Sequence, residues 1–230
     1  MNNNPNNIQN NEKKHLPEKI KTDLGAVAIS KIKESNNSRR AECLEKIGEW
    51  LDLKKIVDFY DDNANILHVS RYHREGFKTH CLLVIGNIMD EYESGNVSEE
   101  AVVAAFLHDI AKPRTAALNK RNEACFYHHE EVTMEEMSVF LNPNYPGFEN
   151  VMDLVHGHML PHSINENTPE PYRQMNKDKL SSLLDKHDEQ FKNNLMVLAD
   201  CDSRASVKSD DDLPEAERKT NLIRTSLIRF

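Results

Sequence analysis

An apolar run over residues 102–107 leads directly into the polar dipeptide His108–Asp109, and Ile110 and Ala111 continue it on the other side. A helix that is apolar on every side is a buried helix. Buried Asp and His side chains must be paired, or else coordinate a metal. The dipeptide is therefore a candidate metal site at the C-terminal end of a buried helix.

The length and composition of the chain set its organisation. The 230 residues suffice for one well-packed domain with room for tails. The chain begins with a polar, Asn-rich segment, and we expect the arm and linker over 1–40 to be disordered because they cannot bury enough apolar surface to offset the entropy of ordering. We predict a helical domain over 41–205, followed by a polar loop and C-terminal segment over 206–230.

Helical periodicity dominates the chain, and no convincing alternating strand pattern is found. The predicted fold class is all-α, a single helical domain of about six to eight helices. Ser98 is predicted to cap the third helix and Pro113 to end it. The predicted helices cover 41–60, 78–93, the segment between Ser98 and Pro113, 129–141, 149–159, 176–188, 190–205 and a short stretch near the C-terminus.

Charge and cysteine usage restrict the partners. A formal net charge of −9 disfavours an extended duplex-binding surface, whereas a small nucleotide or a nucleic-acid end is compatible with it. No apolar stretch has transmembrane length, and no signal-peptide pattern begins the chain. Four scattered cysteines without CxxC spacing are typical of reduced thiols, with one disulfide as the alternative. We expect a cytoplasmic protein that does not engage a membrane; its oligomeric state stays open.

Nine of the eleven histidines fall between His68 and His162. Any one of them, taken alone, is better explained as a surface residue or a hydrogen-bonded core residue. His158, however, shares an apolar helical stripe with residues 151, 154 and 155, while His156 points away, and His80 lies on the stripe of the second helix. Two such histidines and a buried His–Asp pair favour one shared site.

Four segments, taken in order, resemble the HD-domain phosphohydrolase superfamily. They are HREGFKTH at 73–80, FLHDIAKPRT at 106–115, FYHHEE at 126–131 and LVHGHM at 154–159. The resemblance covers about residues 65–205 and is closest to the HD domain of bacterial CCA-adding tRNA nucleotidyltransferases. No nucleotidyltransferase domain or Gly-rich phosphate loop accompanies these segments, so only the hydrolytic half of that architecture resembles this chain.

The resemblance implies one or two divalent metal ions. Carried over by position, the ligands are His80, His108 and Asp109, with His129 and His158 at the positions where related proteins hold a second ion. Mixed imidazole and carboxylate ligands fit Mn, Fe, Ni, Co or Zn better than Mg alone.

The distal aspartate of the family pattern has two candidates, Asp200 and Asp202. On a helix, Asp202 shares a face with Leu195 and Leu198, whereas Asp200 falls opposite with Met196. This favours Asp202. Asp200 stays open, since residues 195–199 are apolar all round.

The resemblance also suggests roles at the site. Asp109 would bridge two metals or orient the attacking water, and Lys112 would place its ammonium near the developing phosphate charge. Lys112 is equally well explained as a helix C-terminal lysine. His73 and Arg114 are weaker phosphate-contact candidates. His128, where the family usually has glycine, would crowd the pocket or add a ligand or substrate contact.

The leading hypothesis is a metal-dependent phosphohydrolase of nucleotides or nucleic-acid ends, acting as a phosphomonoesterase, a 2′,3′-cyclic phosphodiesterase or a nucleotide hydrolase. The alternative is a non-catalytic HD-fold module that binds a nucleotide or a protein. A plain helical scaffold is the third reading, and it predicts that the histidines need not converge in space.

Overall fold

The all-α prediction is confirmed by the computed structural model, which describes residues 38–66 and 73–228. A two-residue antiparallel strand pair, β1 (Ala117–Leu118) and β2 (Ala124–Cys125), and three short 3-10 turns, Met137–Val139, Pro161–Ser163 and Asp210–Asp212, complete the structure. The helices are α1 (Ser38–Gly48), α2 (Leu53–Asp62), α3 (Phe77–Glu93), α4 (Glu99–Leu107), α5 (Lys112–Thr115), α6 (His129–Glu136), α7 (Phe148–Gly157), α8 (Glu170–Leu184), α9 (Glu189–Ala205) and α10 (Leu213–Leu227).

The predicted single helix over 41–60 is wrong, because the chain forms two helices there. The backbone between α1 and α2 leaves the helical path, where Leu51 forms an isolated bridge with Leu141. Asp52 then begins α2, since its side chain accepts a hydrogen bond from the backbone N–H of Lys55 at 2.9 Å. A side-chain cap of this kind satisfies one of the unpaired N–H groups at a helix start.

The prediction that Pro113 ends the third helix is wrong. Helix α4 ends at Leu107, and Pro113 lies in the first turn of α5. The first helical turn tolerates proline, since its missing N–H would have no partner there in any case. Similarly, α8 begins at Glu170, six residues before the predicted start, with Pro171 in its first turn.

Helix α3 occupies the centre of the structure and packs against α4, α9 and α10, while α4 also packs against α7. Every residue of α4 from Ala101 to Leu107 is buried, as its apolar sequence predicts. Gly86 lets α10 approach α3 closely, because a Cβ at this position would lie 2.5 Å from Cδ1 of Ile223. The helices that carry the candidate ligands therefore share one core.

The predicted bounds of the N-terminal arm, the state of the cysteines and the search for a membrane-spanning helix can each be compared with the structure. Helix α1 begins three residues inside the predicted 1–40 arm, and residues 1–37 lie outside the described residues. All four cysteines are free thiols. Within 38–66 and 73–228, no helix combines the length and apolarity needed to cross a membrane.

Candidate metal centre

Four helices, α3, α6, α7 and α9, and the turn that follows α4 bring the candidate ligands to one place. His80 lies in the first turn of α3 and Asp202 in the last turn of α9, and the other ligands lie at the ends of helices or in the turn after α4. Asp202 is nearly buried, with 13% of its side chain exposed, and the others are buried. The residues that converge are His80, His108, Asp109, His129, His158 and Asp202.

Asp109 lies at the centre, and its two carboxylate oxygens face different histidines. Oδ2 lies 3.2 Å from Nε2 of His108 and 3.4 Å from Nε2 of His80. Oδ1 lies 3.1 Å from Nε2 of His129 and 3.8 Å from Nε2 of His158. One carboxylate thus stands between two pairs of imidazoles.

Asp202 completes the first of these groups, and Asp200 lies elsewhere. Oδ1 of Asp202 is 2.9 Å from Nε2 of His80. Asp200 lies on the surface, where its carboxylate pairs with Arg204 at 2.8 Å. The ligand atoms form two trios, each spanning no more than 4.8 Å: His80, His108 and Asp202, and Asp109, His129 and His158.

Three of the imidazoles are held by the main chain. Nδ1 of His108, His129 and His158 donates in each case to the carbonyl three residues earlier, and the acceptors are Ala105 at 2.9 Å, Phe126 at 2.8 Å and Val155 at 2.5 Å. The carbonyls of Ala105 and Val155 lie in the last turns of α4 and α7, where backbone carbonyls lack intrahelical partners, and that of Phe126 lies in the segment before α6. Donation from Nδ1 leaves Nε2 as the lone-pair nitrogen that can bind a metal.

These residues fit a divalent cation. Nε2 of His108, His129 and His158 and Oδ1 of Asp109 are buried, and within the part of the chain that the structure describes they have no hydrogen-bond partner. Buried polar atoms left in this way cost free energy, which a coordinated cation would recover. Imidazole nitrogen and carboxylate oxygen form the mixed donor set that borderline divalent transition metals accept.

The electrostatics keep two of the donors, Asp109 and His158, in their metal-binding protonation states. Burial opposes ionisation of Asp109, but the neighbouring His108 and Lys112 hold the pKa of its carboxyl well below the usual range. Burial, with the neighbouring His108 and His129, lowers the pKa of His158 to about 3. Asp109 is therefore a carboxylate and His158 a neutral imidazole near pH 7, as ligands must be.

A family model described as the HD domain matches residues 77–205 of this chain. The chain belongs to the HD-domain family. The match begins at the first residue of α3 and ends at the last residue of α9, so it contains all six converging residues. Neither the curated proteins nor the solved structures contain a match to the chain.

Of the other candidates in this HD domain, Lys112 lies closest to the centre. Its Nζ is 2.6 Å from Oδ2 of Asp109, and it lies 5.5 Å from the centroid of the Phe126 ring. Its burial opposes protonation, but the nearby Asp109 and Asp202 raise its pKa, so the side chain is an ammonium. The position allows contact with a phosphoryl group bound beside Asp109.

His128 and Arg114 lie on the surface of the HD domain. The His128 side chain is 75% exposed, and its Nδ1 is 2.9 Å from Glu131, so it neither fills the centre nor joins either ligand trio. Its backbone has φ of 60°, in the left-handed region that favours glycine. Arg114 is exposed and pairs with Glu136.

Two residues beside the centre were not among the predicted site residues. Glu75, buried before α3, contacts Nδ1 of both His73 and His80. Its burial opposes ionisation, but hydrogen bonds from these two histidines lower the pKa of Glu75 to about 2. His162, in the 3-10 turn after α7, has Nε2 3.1 Å from Oδ2 of Asp202. The HREG segment contains Glu75, but His162 follows Pro161 and has no periodic signal.

Proposed function

We propose that this HD-domain protein is a metal-dependent phosphohydrolase that acts on nucleotides or nucleic-acid ends. The observation that carries the proposal is the buried Asp109 carboxylate, whose two oxygens face two separate groups of imidazoles. When bound at such a site, a divalent ion polarises phosphoryl oxygens and lowers the pKa of a water molecule towards neutrality.

The ligand geometry supports a division of the donors between two ions. His80, His108 and Asp202 would hold one ion, and His129 and His158 the other. Asp109 would contribute one oxygen to each. Because the ligand atoms of each trio span no more than 4.8 Å, little movement is needed to bring them to coordination distance.

Lys112 supports phosphoryl chemistry in particular. Its ammonium is nine-tenths buried and already held 2.6 Å from Asp109, so it needs no reorganisation to meet negative charge beside the carboxylate. A preorganised cation of this kind stabilises charge that develops on a transferring phosphoryl group.

A cleft of about 1100 Å³ begins at His129 and runs between α6, α7 and α8, which gives room for the rest of a substrate. Phe126 and the largely exposed Tyr127 lie beside His129 and offer ring surfaces on which a base can stack. The carboxylates along the cleft, Glu130, Glu131, Asp153 and Asp178, outnumber its lysines, Lys179 and Lys186. This charge favours a substrate with one phosphoryl group over a long phosphate chain.

The order of the four HD motifs supports a relation to the HD domain of bacterial CCA-adding enzymes, and we propose that relation for the hydrolytic half alone. The activities it suggests are phosphomonoester and 2′,3′-cyclic phosphodiester hydrolysis. Both act on a single phosphoryl group, in agreement with the charge of the cleft.

Elemental analysis and a substrate panel on the same preparation test the proposal. The full chain, loaded with Mn²⁺, Co²⁺ or Zn²⁺, is expected to retain one or two ions and to hydrolyse a member of a panel of mononucleotides, 2′,3′-cyclic nucleotides, deoxynucleoside triphosphates and 3′-phosphorylated oligonucleotides. The double variant His108→Ala/Asp109→Ala is expected to lose both the metal and the turnover.

Two results would count against the proposal. A metal-loaded protein with no turnover on any substrate contradicts hydrolysis. Nucleotide binding that persists in both proteins, without turnover in either, identifies the non-catalytic binding module instead.

A further inference from the structure

Glu75 is a buried carboxylate whose two oxygens both make contacts. Oε2 accepts hydrogen bonds from the backbone N–H of Arg74 at 3.0 Å and of Val207 at 2.9 Å. Oε1 lies 2.7 Å from Nδ1 of His73 and 3.2 Å from Nδ1 of His80. These contacts come from four different groups and engage both oxygens of the carboxylate.

His80 differs from the other three imidazoles in what its Nδ1 contacts. His108, His129 and His158 lie at helix ends and donate to main-chain carbonyls. His80 lies in the first turn of α3, and its Nδ1 faces a side chain instead of a carbonyl. That side chain is Glu75, on the segment before the helix, with Oε1 3.2 Å from Nδ1.

The donor atoms of His73, Glu75 and His80 also lie within 4.8 Å of one another, as in a metal site. His80, however, contributes Nδ1 to this group, while its Nε2 lies 2.9 Å from Asp202 in the centre already described. A neutral imidazole has one lone-pair nitrogen, so it binds a metal on one side and donates a proton on the other. A third ion here would require His80 to lose its second ring proton.

We infer that Glu75 is a positioning residue, which fixes the tautomer and orientation of His80 and thereby sets the metal affinity of the first trio. This inference rests on the proposed function only in taking His80 as a metal ligand. A carboxylate that accepts from a ligating histidine raises the basicity of the coordinating nitrogen, and its removal commonly lowers metal affinity.

Glu75 also links α3, which carries His80, to the end of α9, which carries Asp202. Val207 lies two residues after α9, the helix of Asp202, and its backbone N–H donates to Glu75 while its carbonyl accepts from Arg74 N–H at 2.8 Å. The loop before α3 is thereby held against the end of α9. One side chain thus orients His80 and holds the loop that follows the helix of Asp202.

The test compares Glu75→Gln with the matched control Asp61→Asn in metal-free full-length protein. Asp61 is likewise a carboxylate held by basic side chains, but it is partly exposed, lies on α2 and contacts Arg224 and Lys78. Mn²⁺ or Co²⁺ is titrated calorimetrically into each protein. We expect Glu75→Gln to bind the ion of the first trio about 10- to 100-fold more weakly than wild type does. Asp61→Asn should bind metal as wild type does.

A second readout does not need metal. The Nδ1–H of His80, donating to a carboxylate, is expected to give a downfield imidazole proton resonance that is absent from Glu75→Gln and from His80→Ala, but present in Asp61→Asn. If Glu75→Gln fails to fold, Glu75→Asp, which keeps the charge but shortens the side chain, is measured in its place with the same two readouts.

Unchanged affinity and an unchanged resonance in the Glu75 variant overturn the inference. Equal weakening in Glu75→Gln and Asp61→Asn also overturns it, since general loss of stability would then be the cause. If wild type itself binds no metal, it is the proposed function that fails. If wild type binds metal and only the Glu75 comparison is negative, the proposed function stands without this inference.

Discussion

Lys112 holds its Nζ 2.6 Å from Oδ2 of Asp109, in a pair that is almost completely buried. The pair places a positive charge against the carboxylate on which both groups of imidazoles converge. A cation bound between those groups would act on the same carboxylate. Lys112 and a metal ion are therefore expected to have overlapping electrostatic roles.

Lys112→Met tests this overlap. The substitution should lower the free energy of unfolding of the metal-free protein by about 3 kcal/mol, because it leaves a buried carboxylate without its partner. Saturating Mn²⁺ should reduce that loss, whereas kcat of the loaded protein should still fall about 100-fold, since a preorganised cation near the phosphoryl group is gone. Urea unfolding with and without Mn²⁺, and steady-state kinetics, measure the two effects.

Lys54→Met is the control for this variant, because Lys54 makes a surface pair with Asp58. The free energy of unfolding of Lys54→Met should stay close to that of wild type, because a solvent-exposed pair contributes little to stability. An equal destabilisation of Lys112→Met with and without metal would show that the two cations do not share a role.

Asp200 and Asp202 provide a matched pair on one helix. Asp202→Asn should weaken metal binding at least about 100-fold, since it removes a carboxylate 2.9 Å from His80, and a lost ligand costs at least as much as a lost ligand partner. Asp200→Asn should bind metal within about twofold of wild type, because Asp200 makes only an exposed pair with Arg204. Calorimetric metal titration of both variants gives the comparison. Similar weakening in both would reject Asp202 as the distal ligand.

The left-handed backbone at His128 predicts a stabilising substitution. His128→Gly should raise the free energy of unfolding by about 0.5–1 kcal/mol, because glycine adopts φ of 60° without the steric cost of a Cβ. His128→Ala keeps the Cβ and loses the contact to Glu131, so it should give no gain. Thermal unfolding of the three proteins decides the matter. A gain in the alanine variant would place the cause in the imidazole rather than in the backbone.

Asp61 predicts a specific dependence of stability on pH. Hydrogen bonds from Arg224, together with Lys78, lower the pKa of Asp61 to about 2, below its unfolded value of about 3.9. A carboxyl with a depressed pKa stabilises the folded state above its unfolded pKa, and that stability is lost as the pH falls towards the folded pKa. Between pH 4 and pH 2, wild type should therefore lose about 1 kcal/mol more than Asp61→Asn, after allowance for screening at this partly exposed site.

Unfolding measured at several pH values in that window tests the effect. Parallel curves for wild type and Asp61→Asn would show that Arg224 and Lys78 do not stabilise the carboxylate. Above pH 5 the difference between the two proteins should be constant, because Asp61 is then ionised in both the folded and the unfolded state.

Helical periodicity predicts much of the fold and the convergence of several site residues. Leu195 and Leu198 are buried and Met196 is exposed, so the face assignment on α9 placed Asp202 inward, as observed. The apolar run before His108 likewise predicted a fully buried α4. Both cases depend on local repeats that the sequence displays directly.

The features that were not predicted depend on contacts between distant parts of the chain. The break between α1 and α2 is fixed by pairing between Leu51 and Leu141, ninety residues apart. Glu75 acquires its position from Val207, which is 132 residues away. Because a helix interior excludes proline, the sequence predicts that the helix ends at Pro113, but the helix ends earlier, at Leu107. No local pattern contains this information.

The hydrogen bonds from Nδ1 of His108, His129 and His158 have a consequence for how this site can change over evolutionary time. Their acceptors are main-chain carbonyls, which every residue type supplies, so no point substitution removes the acceptor atom. The acceptor of His80 is a side chain, and a single codon encodes it. Mutation can therefore adjust the basicity of one imidazole in this cluster directly, while the proton positions of the other three are inherited with the backbone itself.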